Sequence, residues 1–154
     1  MFSHVDDSGA ARMVDVSGKD VTVRTATARG RVEVSPKVIE LLRGTGVPKG
    51  DVLAVARIAG IQAAKRTPDL VPLCHPLAID AVKVDVEVSD TSVDIRAEVR
   101  STGRTGVEME ALTSVAVAAL TVVDMVKAVD RHATISGIEV IAKSGGRSGT
   151  WSTE

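Results

Sequence analysis

The sequence contains no tyrosine, and one phenylalanine and one tryptophan in 154 residues. Aromatic rings therefore cannot build its interior. The core has to come from Val, Ile, Leu, Ala and Met, within the 44% of residues that are hydrophobic. A single cysteine, Cys74, excludes an internal disulfide, and no pair of cysteines stands at zinc-ligand spacing. Excess charge of one sign is missing too: the formal net charge is -1 and there is no long run of like charge. That balance argues against nucleic acid or a membrane as a partner drawn by bulk electrostatics, so a bound anion must be held by local groups. The opening MFSHVDDSG lacks an apolar signal core, which makes the cytoplasm the expected compartment. No internal repeat and no P-loop are present: GTGVPKG has no Ser or Thr after its lysine, and KSGGRSG has the wrong spacing.

By length the chain is expected to be one domain, residues 1–154, burying roughly two thirds of its unfolded surface. Its small aliphatic side chains leave more apolar surface than a monomer of this size hides, which points to oligomerisation. Residues 1–18 read as a flexible N-terminal arm that orders by docking, and residues 144–154 as a flexible Gly/Ser-rich tail. From Val21 to Val34, β-branched and polar residues alternate with the period of a half-buried strand, with Gly30 as a candidate bulge. Ser35 and Pro36 supply an N-cap and a first-turn proline for a short helix through Leu42, stopped by Gly44.

The turn GTGVPKG delivers Lys49 ahead of a second helix, from near Asp51 to about Arg66, with an apolar stripe of Val52, Val55, Ala56, Ala59 and Ala63. TPDLVPLCHPL carries three prolines and predicts a rigid extended segment with no helix. Two alternating runs near residues 79–100 predict an antiparallel hairpin. Gly106 to Ala128 predicts a helix apolar almost all round, covered on one side by its own sheet and on the other by a second subunit. ATISGIEVIAK is a last strand. This order of elements gives an α+β fold, a ferredoxin-like antiparallel sheet with helices packed on one face.

Three places carry candidate chemistry. In PLCHPL, Pro72 and Pro76 leave Cys74 and His75 few backbone alternatives, which suits a site and equally suits a proline-shaped loop around a buried thiol. In GRTGVEMEAL, Glu108 and Glu110 share a face only where the backbone is extended, and in a first helical turn they also serve the helix dipole. Asp124 and Lys127, three apart on an apolar helix, are either an ordinary ion pair or a functional one.

The segments ARMVDVSGKDVTVR, KGDVLAVARIAGIQAAKRTPDLVPLCHPL, TGRTGVEMEALTSVAVAALTVVDMVKAVD and AKSGGRSG resemble, in order and separation, the diagnostic blocks of the MoaC family. They cover more than half the chain, and LVPLCHPL, TGVEMEAL and DMVKA are each distinctive. The resemblance implies a ferredoxin-like fold, a homohexamer built as a trimer of dimers, and active sites between subunits. It implies a phosphorus-oxygen lyase, a cyclic pyranopterin monophosphate synthase of molybdenum cofactor biosynthesis. Such an enzyme converts a cyclised dihydroguanosine triphosphate into cyclic pyranopterin monophosphate and releases pyrophosphate. Carried over residue by residue, the substrate-binding positions fall on Leu73, Cys74, His75, Met109 and Glu110. The catalytic aspartate falls on Asp124 and the essential lysines on Lys49 and Lys127, with Arg24, Arg104 and Lys143 at positions that help hold the triphosphate. No organic cofactor is implied. Magnesium is compatible as a companion of the triphosphate, since no carboxylate cluster demands a protein-held metal.

Geometry agrees with the shared site that the resemblance implies. On one continuous helix Glu110 and Asp124 lie about 21 Å apart, too far for one small guest to touch both in one chain. Two copies of the helix packed antiparallel would bring Glu110 of one toward Asp124 and Lys127 of the other. A rival reading is a non-catalytic, ferredoxin-like oligomeric module that binds a small anionic ligand. A metal-dependent nucleotide phosphohydrolase would want several carboxylates close together.

Overall fold

The computed structural model describes residues 3–154. β1 (Thr22–Glu33) alternates as its sequence predicts, with Arg24, Ala26, Ala28 and Val32 turned inward. α1 (Pro36–Arg43) starts on the Ser35 hydroxyl, which accepts from the Val38 amide, and ends where the Gly44 amide returns to the Leu41 carbonyl. α2 (Val52–Lys65) starts on the Asp51 carboxylate, which accepts from the Ala54 amide at 3.0 Å. β2 (Ile79–Val88) and β3 (Ser92–Gly103) form the expected hairpin. α4 (Glu108–Val126) and β4 (Thr134–Ser144) follow.

All pairings are antiparallel, and the sheet order is β2-β3-β1-β4, extended by β5 (Trp151–Ser152) on the β4 edge. A strand, a helical connection, a hairpin, a helix and a strand in that spatial order are the ferredoxin-like arrangement. Pairing of β1 with β4 shifts register between Arg29 and Arg31, placing an irregularity at Gly30.

α2 and α4 pack on one another and on one face of the sheet. The interior is aliphatic: Ile95, Ile141, Val32, Val93, Val99, Val115 and Val122 are fully buried. Backbones approach closely where side chains are small. A Cβ built on Gly60 of α2 would lie 3.1 Å from Ser114 Oγ of α4. α4 is long and apolar enough to cross a membrane by length and composition, but here it is the core helix, with Ala111, Val115, Ala118, Ala119 and Val122 sealed against the sheet and α2. Its outer side leaves Leu120 58% exposed.

Three expectations need correction. A short helix, α3 (Thr67–Leu70), forms inside the segment read as wholly extended, because Pro68 falls in its first turn, where no amide is required. The Thr67 hydroxyl donates to the Ala63 and Ala64 carbonyls and joins α3 to the end of α2. The inner face of α2 is Val52, Ala56, Gly60, Ala63 and Ala64, while Val55 of the expected stripe is exposed. The tail read as flexible returns to the sheet: Trp151 pairs with Lys143, Ser152 pairs with Ala142, and Arg96 binds the Glu154 carboxylate at 2.8 Å.

Candidate functional site

α3 and the proline-bounded loop after it bring Leu73, Cys74 and His75 to the start of α4, where Met109 and Glu110 face them across a cavity of about 380 Å³. The Cys74 amide closes the loop on the Val71 carbonyl at 3.1 Å. The N-terminal arm and the residue after it supply another wall, with Val14, Val16 and Lys19 lining the same cavity. His75 Nε2 lies 2.6 Å from the Val14 carbonyl. A carbonyl only accepts, so Nε2 carries the proton, and Nδ1 of a neutral ring is left as an acceptor.

Glu110 is 3% exposed. Burial pushes its carboxyl up from 4.5 to about 7, the Glu108 charge adds to the rise, and its own backbone amide opposes it. Burial, and then the Glu110 charge, also raise the Cys74 thiol above its ordinary range. This cavity thus holds an acid poised near neutrality and a thiol that keeps its proton.

A second cavity of about 440 Å³ adjoins the first, and Lys19 and Gly106 line both. Arg24 of β1, Lys143 of β4 and Arg147 face Asp20 and Glu108 there. Arg24 is 8% exposed and oriented by backbone, its Nε donating to the Gly103 carbonyl at 3.0 Å. The Gly145–Gly146 turn fits around it. At Gly146 (φ +76) an added Cβ would collide with Arg24 Nη1, and at Gly145 (φ +85) with the Val23 carbonyl. Lys143 and Glu108 form an ion pair. Arg104 instead lines a neighbouring cavity with His75, Leu77 and Thr105.

At the opposite end of α4, Asp124 takes two lysines. Lys127 Nζ reaches Oδ1 at 2.8 Å, and Lys49 Nζ, from the turn before α2, reaches Oδ2 at 3.0 Å. Hydrogen bonds from Lys127 and then Lys49 hold the Asp124 carboxyl below its ordinary value. All three side chains are about half exposed, so within one chain the cluster is open to solvent.

The MoaC family model matches residues 13–146. The chain belongs to the MoaC family. Among proteins similar to this MoaC-family chain is one from Nocardioides sp., 70% identical over 154 residues, covering 98% of this chain and 94% of the relative. One from Streptomyces avermitilis is 69% identical over 151 residues, 98% of this chain and 89% of the relative. A more distant one, from Thermomicrobium roseum, is 60% identical over 155 residues, 99% of this chain and 93% of the relative. Each is named cyclic pyranopterin monophosphate synthase.

In this MoaC-family chain the structure gathers Leu73, Cys74, His75, Met109 and Glu110 around one cavity, and Arg24 and Lys143 around its neighbour. It gathers Lys49, Asp124 and Lys127 into one cluster, apart from the first group by most of α4. Lys19, Glu108 and Arg147 line the cavities without having been assigned to the site from sequence. Lys19, one residue beyond the arm, was not assigned a role, although it lines both cavities. Glu108 passed as a helix-dipole acid, although its partner is Lys143. Among the described residues no group of three His, Cys, Asp or Glu side chains is placed to hold a metal ion.

Proposed function

We propose that this chain is a cyclic pyranopterin monophosphate synthase, a phosphorus-oxygen lyase of molybdenum cofactor biosynthesis acting in the cytoplasm. Near full-length likeness to relatives of that name, at 58–70% identity, carries the reading. The cavities fit it: a sheltered pocket with a near-neutral acid suits a polar ring system, and the adjoining cationic pocket suits a phosphate chain.

The chemistry needs proton transfers to open and re-close rings, then attack of a substrate hydroxyl on the α-phosphorus, with pyrophosphate leaving. Lys127 and Lys49 are the proposed acid and base groups, and Asp124 orients them. A lysine serves as a base near neutral pH when its ammonium is desolvated or faces another cation. Within one chain these side chains are about half exposed, and a second copy packed over them would supply the desolvation. The apolar outer side of α4, with Leu120 beside this cluster, supports packing against a second copy, in a homohexamer made as a trimer of dimers. There Glu110 of one copy would face Asp124 of another. Arg24, Arg147 and Lys143 would bind phosphate, with Arg104 and His75 beside the ring system, and any magnesium would ride on the phosphate oxygens. No organic cofactor enters these steps.

The test is complementation within mixed oligomers. Glu110→Ala and Lys127→Ala are each expected to be inactive in a pyrophosphate-release assay. Mixed oligomers of the two regain activity, since some sites receive both intact halves. Verified mixed oligomers with no recovery would remove the shared site. Wild-type protein that yields no pyranopterin product from the cyclised triphosphate would remove the assignment.

A further inference from the structure

The cationic cavity between β1, β4 and the start of α4 already contains an anion of its own. Glu108 directs its carboxylate onto Lys143, and the two side chains are 28% and 18% exposed, the most sheltered ion pair among the described residues. The carboxylate lies back over Gly106, where an added Cβ would run into it, so the glycine leaves room for this placement. Lys19, Arg24 and Arg147 line the same space. Lys19 and Arg147 make no ion pair among the described residues. Four cations and two carboxylates, Asp20 and Glu108, therefore share one cavity, and Glu108 holds the lysine of β4.

We propose that Glu108 is a specificity-determining residue, an internal stand-in for a phosphate that an incoming phosphate chain must displace from Lys143. The identity of the guest rests on the functional reading above, whereas the exchange of anions rests on the cavity alone. A tethered carboxylate competes at high effective concentration. A guest with one negative charge offers Lys143 no more than Glu108 does, and its charge repels the displaced carboxylate. A diphosphate or triphosphate reaches Arg24, Arg147 and Lys143 together and outcompetes a single carboxylate. After pyrophosphate leaves, Glu108 returns to Lys143, and the remaining cyclic monoanion loses its cation. One residue thereby sets a charge threshold for entry and assists release of product.

Glu108→Gln keeps the size of the side chain and removes its charge. Calorimetric titration of the intact oligomer uses two probes, inorganic pyrophosphate and a cyclic phosphodiester nucleotide. The variant is expected to bind pyrophosphate about three- to fivefold more tightly. The cyclic monoanion gains more than pyrophosphate does, so the preference between them narrows. Glu108→Asp, which keeps the charge, stays near wild type. In turnover KM and kcat fall together in Glu108→Gln, because substrate and product are both held more tightly. Unchanged or weaker pyrophosphate binding in a Glu108→Gln protein of normal melting temperature overturns the proposal. If that variant does not fold, Glu108→Ser carries the same expectation and the same refutation. Tighter pyrophosphate binding without any pyranopterin product from wild type leaves the exchange standing and removes the reaction. Normal wild-type turnover without the gain in affinity removes the exchange alone.

Discussion

Replacing Glu110 with glutamine is expected to flatten the dependence of folding stability on pH. In the folded chain the Glu110 carboxyl is 3% exposed and titrates at about 7 rather than 4.5. Below pH 4.5 both folded and unfolded chains keep the proton, and burying a neutral acid costs little. As pH rises past 4.5 the unfolded chain gives up its proton while the folded chain holds on. Stability therefore drains away across the window and levels off above about 7. Each tenfold difference in proton affinity is worth about 1.36 kcal/mol, so the gap between 4.5 and about 7 amounts to about 3 kcal/mol. The assay is urea unfolding of wild type and Glu110→Gln at pH 5 and pH 8, at one fixed protein concentration because assembly shifts apparent stability. Glutamine is expected to gain on wild type by up to about 3 kcal/mol between the two conditions. Parallel profiles, or a carbon-13 titration placing Glu110 in the ordinary carboxylate range, would refute the reasoning.

Cys74 and Gly30 each give a further expected outcome. The Cys74 thiol, raised by burial and by the Glu110 charge, is expected to react with iodoacetamide more slowly than free cysteine at pH 8. Glu110→Gln speeds that reaction, read by mass spectrometry. At Gly30 an added Cβ would lie 2.8 Å from Val115 Cγ1 and 2.9 Å from Ile138 Cγ1, so Gly30→Ala is expected to cost about 1–3 kcal/mol in chemical unfolding. A neutral result would mean that the irregular β1–β4 pairing relaxes without loss.

The fold was legible wherever one period dominated. β1 and the β2–β3 hairpin alternate with period two, and Ser35 and Asp51 cap their helices as their residue types require. α2 misled because its small residues fit two adjacent faces. Gly60, which has no side chain to count as apolar, marks the face that meets Ser114. α3 was missed because proline disrupts a helix interior but not a first turn. The site was legible in part. Asp124 and Lys127 are neighbours by spacing alone, whereas Lys49, 75 residues away, is brought in by the approach of α2 to α4. Nothing in the spacing of Glu108 and Glu110 says which is buried. The fold separates them, turning Glu110 toward Cys74 and Glu108 toward Lys143.

The chain's lone tryptophan sits on β5, directly across from Lys143, and residues paired across strands project to the same side of a sheet. With no tyrosine to contribute background, intrinsic fluorescence comes essentially from Trp151, 40% exposed, next to the lysine that Glu108 holds. Emission from the unlabelled protein therefore reports on the β4–β5 edge beside Lys143, the edge next to the proposed exchange of anions. The aliphatic interior contributes no emission of its own.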